Sequence, residues 1–265
     1  LDMDGTLLNE AKEIPQAHIT AIHQAIEKGV KLVLCTGRPL FGVLPYSYYK
    51  KLGLDLQNEY VIVNNGCSTH QTSDWSLVDW QELSPDDIEY LYDLAEKSEV
   101  QLTLFDEEHY FVLGGKPNEI VQNDAKLVFS DLTEISLEEA TSGKYRMFQG
   151  MFLGTESQTD DFEKRFATEL CQRFSGVRSQ PVIYEAMPLG TTKATALSRL
   201  AEILKIDSSE IMAMGDANND IEMLQFAGLG VAMGNASDYV KSLADAVTAS
   251  NEEEGVARAI EKYIL

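Results

Sequence analysis

Short apolar runs such as VKLVLC and YVIV alternate along this chain with segments whose apolar residues recur every three to four positions, the pattern of strands followed by amphipathic helices. IPQAHITAIHQAIEKG sets Ile19, Ile22 and Ile26 at helical spacing and closes on Gly29, a left-handed stop. His18 and His23 fall on this helix and read as partly solvated. VKLVLCTGR is a buried strand entering a turn, LFGVLPYSYYKKLG an irregular helix interrupted by Pro45, YVIVNNG a strand and turn, and CSTHQTSDWSLVDW a hairpin. The rhythm changes at LSPDDIEYLYDLAEKSEV, where Ser84 is an N-cap, Pro85 suits the first helical position and Asp87 closes a capping box. QLTLFDEEHYFVLGG then reads as two strands around an acidic turn, NEIVQNDAKLVF as a helix, KYRMFQGMFLG as a strand, QTDDFEKRFATELCQRF as a helix and RSQPVIYEAMP as a strand. Strand–helix alternation resumes with KATALSRLAEILKI, EIMAMGD, NNDIEMLQFAG, LGVAMGN, SDYVKSLAD and EEGVARAIEKYIL.

This alternation predicts an α/β fold: a Rossmann-like doubly wound parallel-sheet core over residues 1–82 and 187–265, with an α+β domain inserted over residues 83–186. A chain of 265 residues, 44% of them hydrophobic, can bury cores of that size. No apolar run reaches the ~18 residues of a membrane span, and no signal-peptide pattern is present, so the expected location is cytoplasmic. Acidic residues outnumber basic ones 43 to 21, giving a net charge of −22 spread along the chain. Such a field repels nucleic acid and anionic lipid, so neither is an expected partner, and the acidity reads as solvated surface. Cys35, Cys67 and Cys171 are too few and too scattered for a disulfide framework and read as reduced thiols, two of them buried.

Ligands of an open α/β sheet collect outside the carboxyl ends of its strands. Four such ends carry unusual polar residues: Asp2 and Asp4 in DMDGT; Thr36, Gly37 and Arg38 in CTGR; Lys193 in GTTK; and Asp216, Asn219 and Asp220 in GDANND. Two carboxylates one residue apart repel each other, and a bound cation is the first candidate to compensate them. Carboxylates converging with hydroxyl, ammonium and backbone donors form a hard oxygen site suited to Mg²⁺. Phosphoryl transfer follows, because its transition state asks mainly for positioning and charge neutralisation, and a carboxylate facing phosphorus can serve as nucleophile. Competing chemistries fail on spacing: Cys35 to Arg38 is too short for a cysteine phosphatase loop, TSGKY lacks the glycines of a P-loop, and the four histidines form no H-E-x-x-H site.

DMDGTLL, CTGR, GTTK and GDANNDIEML, in this order, resemble the four motifs of the haloacid dehalogenase-like phosphatase superfamily. With the insertion, NNG and GVAMGNA, the chain is similar to its Cof-type branch, which carries a large α/β cap. The resemblance implies a Mg²⁺-dependent phosphatase of small phosphorylated metabolites; an acidic α/β enzyme with an enclosing cap works as a monomer or a homodimer. Asp2 would be the nucleophile that becomes a phosphoaspartate, and Asp4 the general acid and later base. Asp2, the Asp4 backbone carbonyl and Asp216 would hold the metal, with Asp220 in its inner or outer shell. Thr36 and Lys193 would bind phosphoryl oxygens as catalytic residues, and Gly37, Arg38, Asn65 and Asn219 complete the implied phosphate-binding set. The cap would close over the site, exclude water and limit substrate size. Ala194 stands where the branch has glycine, and the chain opens at Leu1 without the apolar strand expected before the nucleophile, so further residues upstream are expected. A phosphomutase with the same aspartyl-phosphate chemistry and a silent phosphometabolite sensor are the alternative readings.

Overall fold

The computed structural model describes residues 1–45, 48–54 and 58–265, and of Tyr49 its backbone only. In chain order the elements are α1 Gln16–Glu27, β1 Val33–Cys35, α2 Leu40–Val43, α3 Tyr49–Leu52, β2 Tyr60–Val63, β3 Ser68–Gln71 and β4 Leu77–Trp80. They continue with α4 Pro85–Glu96, β5 Gln101–Phe105, β6 Tyr110–Val112, α5 Glu119–Leu127, β7 Leu132–Glu134, α6 Leu137–Ala140, β8 Gln149–Leu153, α7 Glu156–Leu170, β9 Phe174–Gln180 and β10 Ile183–Pro188. The chain ends with α8 Lys193–Leu204, β11 Met212–Gly215, α9 Ile221–Phe226, β12 Leu229–Ala232, α10 Asp238–Leu243, β13 Ala246–Val247 and α11 Gly255–Tyr263. The molecule is α/β, and among the described residues no helix is long and apolar enough to cross a membrane.

The chain divides into two compact units. The first comprises Leu1–Gly37, Leu44–Asp79 and Thr192–Leu265. Within it β1 and β2 run parallel, β3 returns antiparallel to β2, and β11, β12 and β13 form a second, all-parallel set. The first residues knit the two sets together: Cys35 N–H donates to the Leu1 carbonyl (2.7 Å) and Asp2 N–H to the Met214 carbonyl (3.0 Å). Asp2 therefore leaves the sheet between the ends of β1 and β11. The parallel strands are apolar runs because both of their faces are covered. Ile62, Ala213 and Ala232 pack with Leu197 and Leu200 of α8 and Leu224 of α9. Ala194 is buried in the same cluster, so its methyl group is absorbed by core packing.

The second unit, Arg38–Val43 with Trp80–Thr191, holds a six-stranded sheet ordered β7-β6-β5-β8-β10-β9. All its pairings are antiparallel except β6 with β7. Leu91 of α4 and Phe162 and Phe166 of α7 bury one face of it with Leu102, Phe152 and Tyr184. On another apolar cluster, Val121 and Ala125 of α5 pack with Phe105, Tyr110 and Met151. The capping box at α4 forms as its sequence demands: Asp87 N–H donates to Ser84 Oγ at 3.2 Å, and Ser84 N–H to Asp87 Oδ2 at 3.0 Å.

Three local expectations are corrected. RSQPVIYEAMP is the end of β9, a turn and β10, because Pro181 has no N–H to continue a ladder and the Arg178 guanidinium ties down the Gln180 and Pro181 carbonyls. The irregular helix around Pro45 resolves into the single turns α2 and α3; the part of that prediction on residues 46–47 lies outside the described residues. His18 is fully buried, with Nδ1–H donating to the Leu7 carbonyl at 3.1 Å, whereas His23 is exposed. The i+4 rows of α1 decide this, since His18 shares the inward face with Ile22 and Ala25.

Candidate active site

The carboxyl ends of β1, β2 and β11 and the first turn of α8 bring the polar motifs together within the first unit. Lys193 opens α8 behind Thr192, whose hydroxyl caps the helix by accepting from Thr195 N–H. Its ammonium lies 2.7 Å from Asp2 Oδ1 and 2.6 Å from Asp220 Oδ1, and all three side chains are buried. Asp220 Oδ2 accepts from the N–H groups of Asp216 (2.9 Å) and Ala217 (3.0 Å). Both Asp220 oxygens are thus engaged, one by the lysine and one by the turn that carries Asp216.

Asp2, Asp216 and Asp220 each offer an oxygen within 4.8 Å of the others. Burial and the charge of Asp220 push the Asp2 carboxyl well above the usual carboxylate range, against the pull of Lys193. Burial, then Asp220, raises Asp216 to about 6. Burial alone would discharge Lys193, but Asp2 and Asp220 outweigh it and hold the ammonium protonated. Among the described residues Lys193 is the side-chain cation that contacts this cluster, and the surplus negative charge falls on Asp2 and Asp216. A divalent cation on oxygen ligands would relieve that surplus, and the donor set fits one.

The turn after Asp2 approaches Asp216 closely. Gly5 has φ +78°, and a Cβ there would stand 2.3 Å from Asp216 Oδ2, so glycine is required by conformation and by space. Thr6 Oγ1 donates to Asp216 Oδ1 at 2.8 Å, a role its place in DMDGT did not reveal. Asp4 stands apart from the buried trio; its carboxylate pairs with Lys12 Nζ at 2.7 Å, and the two side chains are 34% and 40% exposed.

Thr36 and Asn65 are buried side by side at the ends of β1 and β2, where Thr36 N–H donates to the Ile62 carbonyl (2.9 Å) and Asn65 N–H to the Thr36 carbonyl (3.1 Å). Asn64, Asn65 and Gly66 all have positive φ, and Asn219 Nδ2 donates to Asn65 Oδ1 at 2.9 Å. A Cβ on Gly37 would stand 3.2 Å from the Asn65 amide, so this backbone too lies against the cluster. Arg38 alone of the predicted set belongs to the second unit, where its guanidinium donates to the carbonyls of Gly42 (3.3 Å) and Leu127 (3.2 Å). Thr6 and Asn235 lie inside the DMDGT and GVAMGNA stretches, but neither their contacts nor the Lys12–Asp4 pair could be read from spacing; the Asn235 amide donates to the Gly5 carbonyl at 2.8 Å.

The fold recurs in a haloacid dehalogenase-like hydrolase from Bacteroides thetaiotaomicron, with a TM-score of 0.86, 30% identity and coverage of 98% of this chain and 97% of that one. The subclass IIB sugar phosphatase BT4131 matches with a TM-score of 0.84 and 27% identity over 99% of this chain and 96% of its own. By sequence, the 5-amino-6-(5-phospho-D-ribitylamino)uracil phosphatase YcsE of Bacillus subtilis is 33% identical over 267 aligned residues, covering 100% of this chain and 94% of that protein. Matching the haloacid dehalogenase-like hydrolase family over residues 1–260, with these motifs gathered at one end of its sheet, the chain belongs to that family.

Proposed function

We propose that this phosphoric monoester hydrolase is Mg²⁺-dependent and acts on small phosphorylated metabolites, sugar phosphates or cofactor phosphates, through an aspartyl phosphate on Asp2. Hydrolysis of phosphate monoesters is supported by family membership and by phosphatase relatives that align over nearly their whole length. The observation that carries the finer reading is the Lys193 ammonium, 2.7 Å from Asp2 and 2.6 Å from Asp220, beside the Asp216 carboxylate. A nucleophilic carboxylate flanked by a fixed cation and an acidic cation-binding face suits a phosphoryl group.

In this reading Asp2, Asp216 and the Asp4 backbone carbonyl would hold the ion, with Asp220, which also anchors Lys193 and the 216–217 turn, in its inner or outer shell. Bound Mg²⁺ neutralises charge on the phosphoryl oxygens. The Asp2 carboxylate bonds to phosphorus as the bond to the ester oxygen breaks, and Asp4 gives that oxygen its proton. Water then loses a proton to Asp4, attacks phosphorus and expels the Asp2 carboxylate, so free phosphate leaves. Lys193 and Thr36 hold the transferring oxygens, with Gly37, Asn65 and Asn219 at the border of the site. Residues 83–186 are read, within the same proposal, as the inserted cap domain.

Phosphate release from p-nitrophenyl phosphate and a panel of sugar and cofactor phosphates, with and without Mg²⁺, tests this. Metal-dependent release is expected, falling by at least ~10³-fold in Asp2→Asn. Release that persists in Asp2→Asn overturns the nucleophile assignment, and an isomeric phosphate in place of free phosphate identifies a mutase.

A further inference from the structure

Asn235 lies in the loop after β12 and touches both elements that carry the predicted metal ligands. Its Nδ2 donates to the Gly5 carbonyl at 2.8 Å and reaches Asp216 Oδ2 at 3.4 Å. Its Oδ1 accepts from Asn251 N–H at 3.1 Å, and Asn251 Nδ2 in turn donates to the Leu8 carbonyl at 2.9 Å. The amide orientation is fixed by its partners, since a carbonyl and a carboxylate only accept and a backbone N–H only donates. An amide is the side chain of this size that donates at one end and accepts at the other.

Asp216 Oδ1 already receives the Thr6 hydroxyl, and the bare Gly5 Cα leaves just enough room for the carboxylate. Asn235 supplies the donor on the remaining oxygen and ties it to the Gly5 backbone in the same contact. We infer that Asn235 is a positioning residue for the cation site: it fixes the Asp216 carboxylate against the Asp2–Leu8 turn, so that ligands from the two ends of the chain are set before the ion arrives. The inference rests on the metal-dependent reading above. Outer partners of this kind govern metal affinity by about 10-fold or more. Asn235 is exposed, so its truncation opens no cavity in the core.

The test is calorimetric titration of the metal-free chain with Mg²⁺ alone, beside its melting temperature without metal, for wild type, Asn235→Ala and Asn235→Asp. Wild type is expected to bind. Asn235→Ala should bind about 10-fold more weakly with a metal-free melting temperature within a degree or two of wild type. Asn235→Asp, equal in shape but unable to donate, should bind no better than Asn235→Ala. Turnover lost in either variant should return as Mg²⁺ is raised. Asn235→Asp binding as tightly as wild type, or tighter, overturns the positioning role, because added charge rather than donation would then matter. An affinity unchanged in Asn235→Ala overturns it too. A wild-type chain indifferent to Mg²⁺ overturns the metal reading itself, and this inference with it.

Discussion

Lys193 Nζ and Asp2 Oδ1 stand 2.7 Å apart although 191 residues separate them, and neither side chain reaches solvent to any extent. The contact joins the first turn of α8 to the end of the sheet's connecting segment, so under the proposed function catalysis and stability share one ion pair. Desolvating both charges is costly and their attraction offsets much of that cost only while both are present.

Lys193→Met should therefore abolish hydrolysis and destabilise the metal-free chain by about 3–5 kcal/mol, since it leaves Asp2 and Asp220 facing each other uncompensated. Chemical denaturation near pH 7.5 reads this. A loss under ~1 kcal/mol would show that the lysine is dispensable for the fold.

Asp216 gives a pH dependence of defined sign. Its carboxyl is raised from 3.8 to about 6, by burial first and by Asp220 second. A folded carboxyl that holds its proton more tightly than the unfolded one adds stability below the unfolded value and loses it as pH rises through the folded one. Asp216→Asn removes that loss. The metal-free variant should gain on wild type between pH 5 and pH 8 by about 1–3 kcal/mol, while Mg²⁺ should raise the melting temperature of wild type only. A constant difference across that range contradicts the raised carboxyl.

His18 gives the opposite sign. Burial lowers its pKa from 6.5, and its Nε2 is buried without a partner among the described residues. The unfolded chain takes up a proton that the folded chain refuses, so stability is full above pH ~6.5 and falls below it. His18→Leu removes this term and leaves the Leu7 carbonyl without its donor, at a cost of about 1–3 kcal/mol near pH 7.5. The gap between variant and wild type should narrow as pH drops from 6.5 to 5. A widening gap would mean that the imidazole is charged in the fold.

The strand ends and their motifs were legible because parallel strands must be apolar and a polar cluster at their ends stands out against them. Asp2, Lys193, Asp216 and Asp220 meet for that reason, although no local pattern reports that Asp220 spends both oxygens on Lys193 and the turn. The buried place of His18 was legible in the i+4 row it shares with Ile22 and Ala25, but histidine tolerates either face of a helix, and its partner, the Leu7 carbonyl, lies outside the helix pattern. Arg38 was placed with CTGR by adjacency, yet the fold gives its side chain to Gly42 and Leu127. Asn235 and Lys12 reach the turn through loops whose paths depend on tertiary closure, which periodicity does not encode.

Lys12 is the last of these, and its contact with Asp4 separates stability from chemistry. The pair is 40% and 34% exposed, so solvent screens it and Lys12→Met should change stability by no more than about 1 kcal/mol. Lys12 nevertheless adopts φ +59°, its N–H donates to the Asn9 carbonyl, and its carbonyl accepts the Tyr48 hydroxyl at 3.1 Å, so the ammonium is presented from a fixed turn. If Asp4 handles the leaving-group proton, loss of the cation that orients it should matter most where the leaving oxygen is most basic. The expected outcome for Lys12→Met is a fall in kcat/KM of about 10-fold or more on a sugar phosphate, with little change on p-nitrophenyl phosphate, whose leaving group needs no proton. Equal losses on both substrates would assign Lys12 to binding or folding instead and detach it from the proton transfer.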